Sequence, residues 1–219
     1  AHVYGEPSRA LHMVGVTGTN GKTSVAHWVA QAFTQLGRKT AIIGTVGNGF
    51  PDALTPALNT TPDAIDLQQR LAHYRQQGAA ACAMEVSSHG LAQGRLNGTT
   101  FNVAVLTNLS RDHLDYHGDM DRYADAKSRL FNWPGLEWAV LNVDDAFGQR
   151  LEGETRPARV AGYGFERGAV VGEKLHLSQS GLHLAVRSDW GNAEIDVRLL
   201  GRFNAANLLA VPTTRLVSG

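Results

Sequence analysis

From Val14 to Thr23 the chain reads Val-Gly-Val-Thr-Gly-Thr-Asn-Gly-Lys-Thr, a glycine-rich turn set between an apolar strand and a helix with a clean apolar stripe. A strand-loop-helix junction of this composition points to a phosphate cradle, and with it to a nucleotide triphosphate site. Gly15, Gly18 and Gly21 let backbone amides crowd round an anion where a Cβ would intrude. Lys22 adds a fixed positive charge. Thr23 places a hydroxyl in the first helical turn, a position suited to a Mg²⁺ ligand, and the helix N-terminus itself favours an anion. Upstream, Leu11–Val14 is a short strand candidate. Downstream, Val25, Trp28, Val29, Ala32, Phe33 and Leu36 recur at helical spacing, and Gly37 stands where a C-terminal cap glycine belongs. The pattern G-x-x-x-x-G-K-[ST] asks for glycine five residues before Gly21. This chain has Val16 there, so the loop is a variant; the plain alternative is an ordinary turn with a surface lysine.

The chain has 219 residues, ample for a substantial core, and 43% of them are hydrophobic. Lys plus Arg equals Asp plus Glu at 20 each, so no net field favours nucleic acid or an anionic membrane, and any anion site is local. The lone cysteine, Cys82, lies in the apolar run Ala79–Met84 and reads as a buried structural thiol, which excludes an internal disulfide framework and fits a reducing, cytoplasmic setting. No apolar run reaches membrane-spanning length, so no membrane insertion is expected. The chain starts without Met, close to its first strand, and reads as a piece of something longer.

Candidate strands at Leu11–Val14, Thr40–Ile43, Ala80–Met84, Val103–Leu106, Ala139–Asn142 and Arg159–Ala161 alternate with helices near 23–36, 63–77, 121–131 and 145–151. This predicts an α/β fold: a doubly wound, mostly parallel sheet of the P-loop type with helices on both faces, its core at about 11–165. Ligands of such sheets bind beyond the C-terminal strand ends, where the first loop lies. From about 170 to 200 the period changes to two, through Leu175 and Leu177, then Leu182, Leu184 and Val186, then Ile195, Val197 and Leu199. That predicts a C-terminal antiparallel meander with turns at Ser180-Gly181 and Asp189–Asn192. A last helix begins near Asn204. Residues 1–210 are read as one nucleotide-binding domain, and 211–219 as a tail or the start of a further segment.

Glu85 ends the Ala79–Met84 run and precedes Val86-Ser-Ser-His-Gly90. An acid at a buried strand tip beside a phosphate loop is placed to hold Mg²⁺; the alternative is a carboxylate capping the next turn. Thr107–Gly118 gathers two histidines, two aspartates and an arginine after another apolar strand, with His113 as a metal ligand or phosphate contact. Lys127 falls on the apolar stripe of Tyr123, Ala124, Leu130 and Phe131. It is either paired or modified, or a stem that carries its amine to the domain edge. Asn59-Thr60-Thr61-Pro62 precedes a helix, with Thr60 or Thr61 as cap candidates. Gln93 and Arg95 follow closely enough to face the same cleft, the arginine suiting a carboxylate or phosphate.

Together these segments resemble the Mur ligase family, ATP-dependent amide-bond-forming enzymes of peptidoglycan precursor synthesis, over nearly the whole chain. Thr17–Thr23 is that family's loop variant, which accounts for Val16. Asn59-Thr-Thr61, Met84–Leu91 with Gln93 and Arg95, Thr107–Gly118 and Gly201–Asn204 look like the MurE type. That type adds L-lysine or meso-diaminopimelate to UDP-N-acetylmuramoyl-L-alanyl-D-glutamate. The resemblance implies that Thr17, Gly18, Thr19, Asn20, Gly21, Lys22 and Thr23 hold the ATP phosphates and that Asn204 and Asn207 lie near the adenine. It implies Mg²⁺, with two sites, on Thr23, Glu85, His113 and Lys127, the last as a CO₂-derived carbamate. Asn59, Thr60, Thr61, Ser87, Gln93 and Arg95 would contact the UDP-muramoyl dipeptide, and Lys22, His113 and Lys127 would serve the chemistry. It further implies a monomer whose uridine-binding and amino-acid-binding domains flank this chain. The rival readings are a sister ligase, of the MurF type or a folylpolyglutamate synthetase, and a nucleotide-binding module without chemistry of its own.

Overall fold

A computed structural model describes residues 1–154 and 158–219. Two 3-10 turns, His2–Tyr4 and Pro7–Ala10, lead into β1 (His12–Thr17), α1 (Lys22–Gln35) and β2 (Thr40–Ile43). A hairpin of β3 (Asn48–Phe50) and β4 (Ala53–Thr55) precedes α2 (Ala64–Gln76), β5 (Ala81–Glu85), the short α3 (Ser88–Ala92) and β6 (Val103–Leu106). Then come α4 (Leu114–His117), α5 (Met120–Phe131), β7 (Trp138–Asn142), α6 (Ala146–Glu154) and β8 (Arg159–Gly164). The meander of β9 (Val170–Ser178), β10 (Gly181–Ser188) and β11 (Gly191–Val197) is followed by α7 (Arg202–Val217).

Among the described residues all strands join one sheet in the order β11-β10-β9-β8-β7-β6-β1-β5-β2-β3-β4. β2, β5, β1, β6, β7 and β8 run parallel; at one end the β3-β4 hairpin joins β2 antiparallel, and at the other β9 joins β8 parallel while β9, β10 and β11 pair antiparallel among themselves. The parallel strands are continuous apolar runs because both faces are covered, as sheets of this kind require. One face packs Val25, Val29 and Phe33 of α1 with Ala205, Leu208 and Leu209 of α7. The other packs Leu67 and Leu71 of α2, Leu130 and Phe131 of α5, and Leu151 of α6. Burying each such side chain contributes roughly 1.5–3 kcal/mol. Because β2 and β5 lie on one side of β1 and β6 on the other, the winding reverses at β1. The crevice that ligands use therefore opens at the C-terminal ends of β5, β1 and β6.

Several expectations need correcting. Gly15 does not serve the loop: it lies within β1, where a Cβ would meet the Phe101 ring at 3.0 Å. Val16 is also a strand residue, fully buried, so a glycine is not required there. Thr60 and Thr61 are not caps, because Pro62 intervenes; the cap of α2 is Asp63, whose side chain accepts from the Ile65 and Asp66 amides. The last helix, expected to begin near Asn204, runs from Arg202 to Val217 past Pro212, so that most of 211–219 continues it, with the Thr213 and Thr214 hydroxyls donating to the carbonyls of Leu209 and Ala210. Cys82 is fully buried in β5, and burial pushes its thiol up to about 12, so it is inert.

Candidate active site

The loop between β1 and α1 turns on two glycines that no other residue can replace cheaply. At Gly18 (φ 148°) a Cβ would clash with the Thr107 hydroxyl, and at Gly21 (φ 86°) it would stand 2.5 Å from the Asn207 side-chain amide. The loop is braced from β6: the Thr19 amide donates to the Asn108 carbonyl at 2.9 Å and the Asn20 amide to Asn108 Oδ1 at 3.0 Å. Thr107 Oγ1 donates to the Asn20 carbonyl at 2.6 Å. With Thr19 and Asn20 so engaged, the amides of the first turn of α1, which begins at Lys22 and has no internal acceptors there, are available to an anion. Lys22 Nζ arches back to donate to the carbonyls of Gly18 and Thr19, at 2.9 Å each. Burial lowers its pKa, opposed by Glu85 and Asp112.

Glu85, 1% exposed, closes the other wall. Its Oε2 accepts from Thr23 Oγ1 at 2.9 Å and from Thr45 Oγ1 at 3.2 Å, and its Oε1 accepts from the Thr45 amide at 2.8 Å. Gly44 makes room for it, since a Cβ there would sit 2.2 Å from Oε1. Thr61 hangs on the same strand end, its hydroxyl donating to the Glu85 carbonyl and accepting from the Ser87 amide, both at 2.9 Å. Thr45, which the sequence reading missed, shares its hydroxyl with Thr60 at 2.9 Å.

Lys127 is on the inner face of α5 and is 1% exposed, so it does not carry its amine to the domain edge. Its Nζ donates to the Gly18 carbonyl at 2.9 Å and lies 4.6 Å from the centre of the Tyr123 ring. The carbonyl of Gly18 thus takes both lysines. Burial, then the nearby Lys22 charge, lowers the Lys127 pKa from 10.5 to about 7, with Asp112 opposing. His113 adopts a left-handed backbone (φ 53°), uncommon outside glycine, and its amide is tied to Asp112 Oδ1 at 2.8 Å.

A cleft of about 290 Å³ runs from the loop across α3, lined by Lys22, Asn59, Thr60, Thr61, Ser87, Ser88, His89, Arg95, His113 and Lys127. Nearly all the residues expected to contact substrate meet here; Gln93 touches the rim through Arg95. Ser87 also caps α3, accepting from the Gly90 amide at 3.0 Å. Ser88 and His89 were not foreseen. Asn207 is packed against Gly21 at the opposite end of the loop, whereas Asn204 Nδ2 donates to the Leu200 carbonyl at 2.9 Å, within its own helix start. Larger clefts, of about 470 Å³ between the β3-β4 hairpin and α2 and about 440 Å³ on the meander, contain none of these residues. Among the described residues no three His, Cys, Asp or Glu side chains converge as a metal-ligand group.

The Mur ligase middle domain matches residues 16–214. The chain is 56% identical over 221 residues to the UDP-N-acetylmuramoyl-L-alanyl-D-glutamate--2,6-diaminopimelate ligase of Chromobacterium violaceum, covering 100% of this chain and 45% of that protein. A solved structure of a ligase with the same name superposes with a TM-score of 0.89 at 39% identity, over 95% of this chain and 44% of the other. A folylpolyglutamate synthase of Mycobacterium tuberculosis complexed with ADP and AMPPCP gives a TM-score of 0.79 at 20% identity, over 99% and 57%, a likeness of fold alone. The chain spans about half the length of the curated relatives it matches. A match running from β1 into α7, across the β1-α1 loop, Glu85 and Lys127, settles the kinship: the chain belongs to the Mur ligase family, as its middle domain.

Proposed function

We propose that this chain is the ATP-using part of a ligase that joins 2,6-diaminopimelate to UDP-N-acetylmuramoyl-L-alanyl-D-glutamate. The observation that carries the reading is the convergence of Lys22, Thr23, Glu85 and Lys127 on one loop beside a polar cleft. The choice of diaminopimelate over lysine is supported by the names of the relatives.

In this reading the ATP phosphates lie on the first turn of α1, with Lys22 turned from the loop carbonyls onto the β- and γ-phosphates. Asn207, against Gly21, marks the adenine side, with Asn204 one turn before it. Thr23 Oγ1 and Glu85 Oε2, hard oxygens 2.9 Å apart, suit Mg²⁺, which when bound would neutralise phosphate charge. A second Mg²⁺ at His113 does not suit Lys127 as an amine, since an ammonium repels the cation. It suits a carbamate. A buried lysine with no carboxylate hydrogen-bond partner among the described residues, its amine readily deprotonated, is disposed to add CO₂ through nitrogen, releasing one proton and presenting two oxygens that share one negative charge.

Asn59, Thr60, Thr61, Ser87, Gln93 and Arg95 form the face for the UDP-muramoyl dipeptide. A γ-carboxylate oxygen of its D-glutamyl residue attacks the γ-phosphorus, the bond to ADP breaks, and an acyl phosphate forms. The amine nitrogen then bonds to the acyl carbon, phosphate leaves with the bridging oxygen, and the nitrogen loses a proton. The residues of this chain contribute position and fixed charge, which dominate phosphoryl transfer. The buried lone thiol supports a cytoplasmic setting.

The test uses the full-length protein with ATP, Mg²⁺, bicarbonate and the UDP-muramoyl dipeptide, with hydroxylamine in place of the amino acid. ADP and a dipeptide hydroxamate are expected in equal amounts. If neither forms, the ligase reading fails.

A further inference from the structure

The four residues of α4 are locked between two left-handed positions, His113 (φ 53°) and Gly118 (φ 87°). This turn sits over α3 and touches both its ends. His117 Nε2 is 2.9 Å from Ser88 Oγ at the first residue of α3, and Gln93 Nε2, at its C-terminal cap, donates to Tyr116 Oη at 3.3 Å. Between them the His89 ring packs against the Tyr116 ring, tilted by 44° with centroids 4.2 Å apart. From Tyr116 a chain of side chains runs into the cleft: Arg95 Nε donates to Gln93 Oε1 at 2.8 Å, and Arg95 Nη1 donates to the Thr61 carbonyl at 2.8 Å. Tyr116 is 45% exposed and makes no bond to the phosphate loop among the described residues.

We infer that Tyr116 is a positioning residue for the dipeptide face. Its hydroxyl fixes the Gln93 amide, which aims the Arg95 guanidinium; its ring fixes His89 at the cleft floor. The inference rests on the proposed role of Arg95 and Gln93 as the face for the UDP-muramoyl dipeptide. A long arginine held at one side-chain and one backbone acceptor loses rotamer freedom before substrate arrives, so the ordering cost is not charged to binding. Removing the hydroxyl frees Gln93 and, through it, Arg95. Losing one hydrogen bond of this kind corresponds to roughly two- to tenfold in affinity.

The test is steady-state kinetics of the full-length protein, with ATP and the UDP-muramoyl dipeptide varied separately, for Tyr116→Phe, Tyr116→Ala, Arg95→Ala and the pair Tyr116→Ala with Gln93→Ala. Tyr116→Phe keeps the ring contact with His89 and should raise the KM for the dipeptide roughly two- to tenfold, with the KM for ATP unchanged. Tyr116→Ala should raise it further. With Gln93→Ala measured alongside, the double variant should be less than multiplicative in the two single effects, because Tyr116 acts through Gln93. A merely structural tyrosine would lower kcat or the fraction folded and leave this KM split absent. An unchanged dipeptide KM in Arg95→Ala strikes at the substrate face itself. A raised KM there, with the wild-type KM in both Tyr116→Phe and Tyr116→Ala, overturns the role of Tyr116 alone.

Discussion

Replacing Lys127 by methionine should make the protein more stable near neutral pH while removing its activity. Lys127 is 1% exposed, and burial lowers its pKa from 10.5 to about 7. An unfolded lysine keeps its proton up to the higher value; the folded one releases it near the lower. Between those limits the unfolded state binds more protons, so wild-type stability rises with pH across that window. At about 1.4 kcal/mol per pH unit, the full swing is roughly 5 kcal/mol, an upper bound. Methionine fills a similar volume, carries no charge and forfeits the bond to the Gly18 carbonyl, which for the neutral amine, the reference at high pH, is a loss of about 0.5–1.5 kcal/mol. The variant should therefore gain most at and below pH 7, by at most about 3–4 kcal/mol net. That advantage should shrink and reverse as pH rises. Urea unfolding of both proteins in CO₂-free buffer, from about pH 6.5 to about pH 9.5, gives the difference directly. The variant's advantage should fall by roughly 3 kcal/mol between pH 7 and about pH 9.5. A difference independent of pH, or one that grows with pH, would refute the placement of an unpaired amine in that pocket.

Lys22→Ala should weaken Mg-ATP binding by roughly 10- to 100-fold in isothermal titration, the size of one charge-assisted interaction; unchanged affinity would dismiss the phosphate loop. Gly21→Ala places a Cβ 2.5 Å from the Asn207 amide at φ 86°. The backbone alone should cost about 1–2 kcal/mol, visible as a lower Tm together with weaker nucleotide binding. His12 is held by burial, and by Arg38, down to about 4, with its Nε2 3.0 Å from Ser218 Oγ at the end of α7. Its folded pKa is depressed below the unfolded 6.5, so its contribution is intact above pH 6.5 and lost as pH falls towards 4. His12→Gln should flatten that part of the stability profile; an identical profile would count against it.

The parallel core was legible because its strands are unbroken apolar runs and α1, α2 and α5 carry helical periodicity long enough to register. Lys127 stood out for the same reason, as a charge on a stripe where none belongs. The β3-β4 hairpin escaped because two three-residue strands offer no alternation to read. α3 and α4 escaped because five and four residues cannot show a period; their places are set by the Ser87 cap and by left-handed His113 and Gly118. Thr45 was invisible for another reason. Its contacts are with Glu85, forty residues on, and only the β2-β5 pairing brings them together. Thr60 and Thr61 misled in the opposite direction, because a threonine before a helix looks like a cap until the strand end behind it is seen.

Whether the loop activates a carboxylate with ATP can be read by following oxygen. The full-length protein is given UDP-muramoyl dipeptide labelled with ¹⁸O in the D-glutamyl γ-carboxylate, together with ATP, Mg²⁺ and 2,6-diaminopimelate. Mass spectrometry of the released phosphate should find one ¹⁸O transferred per turnover, since the carboxylate oxygen stays on phosphorus when the amine displaces it. Unlabelled phosphate, formed alongside product, would contradict the account.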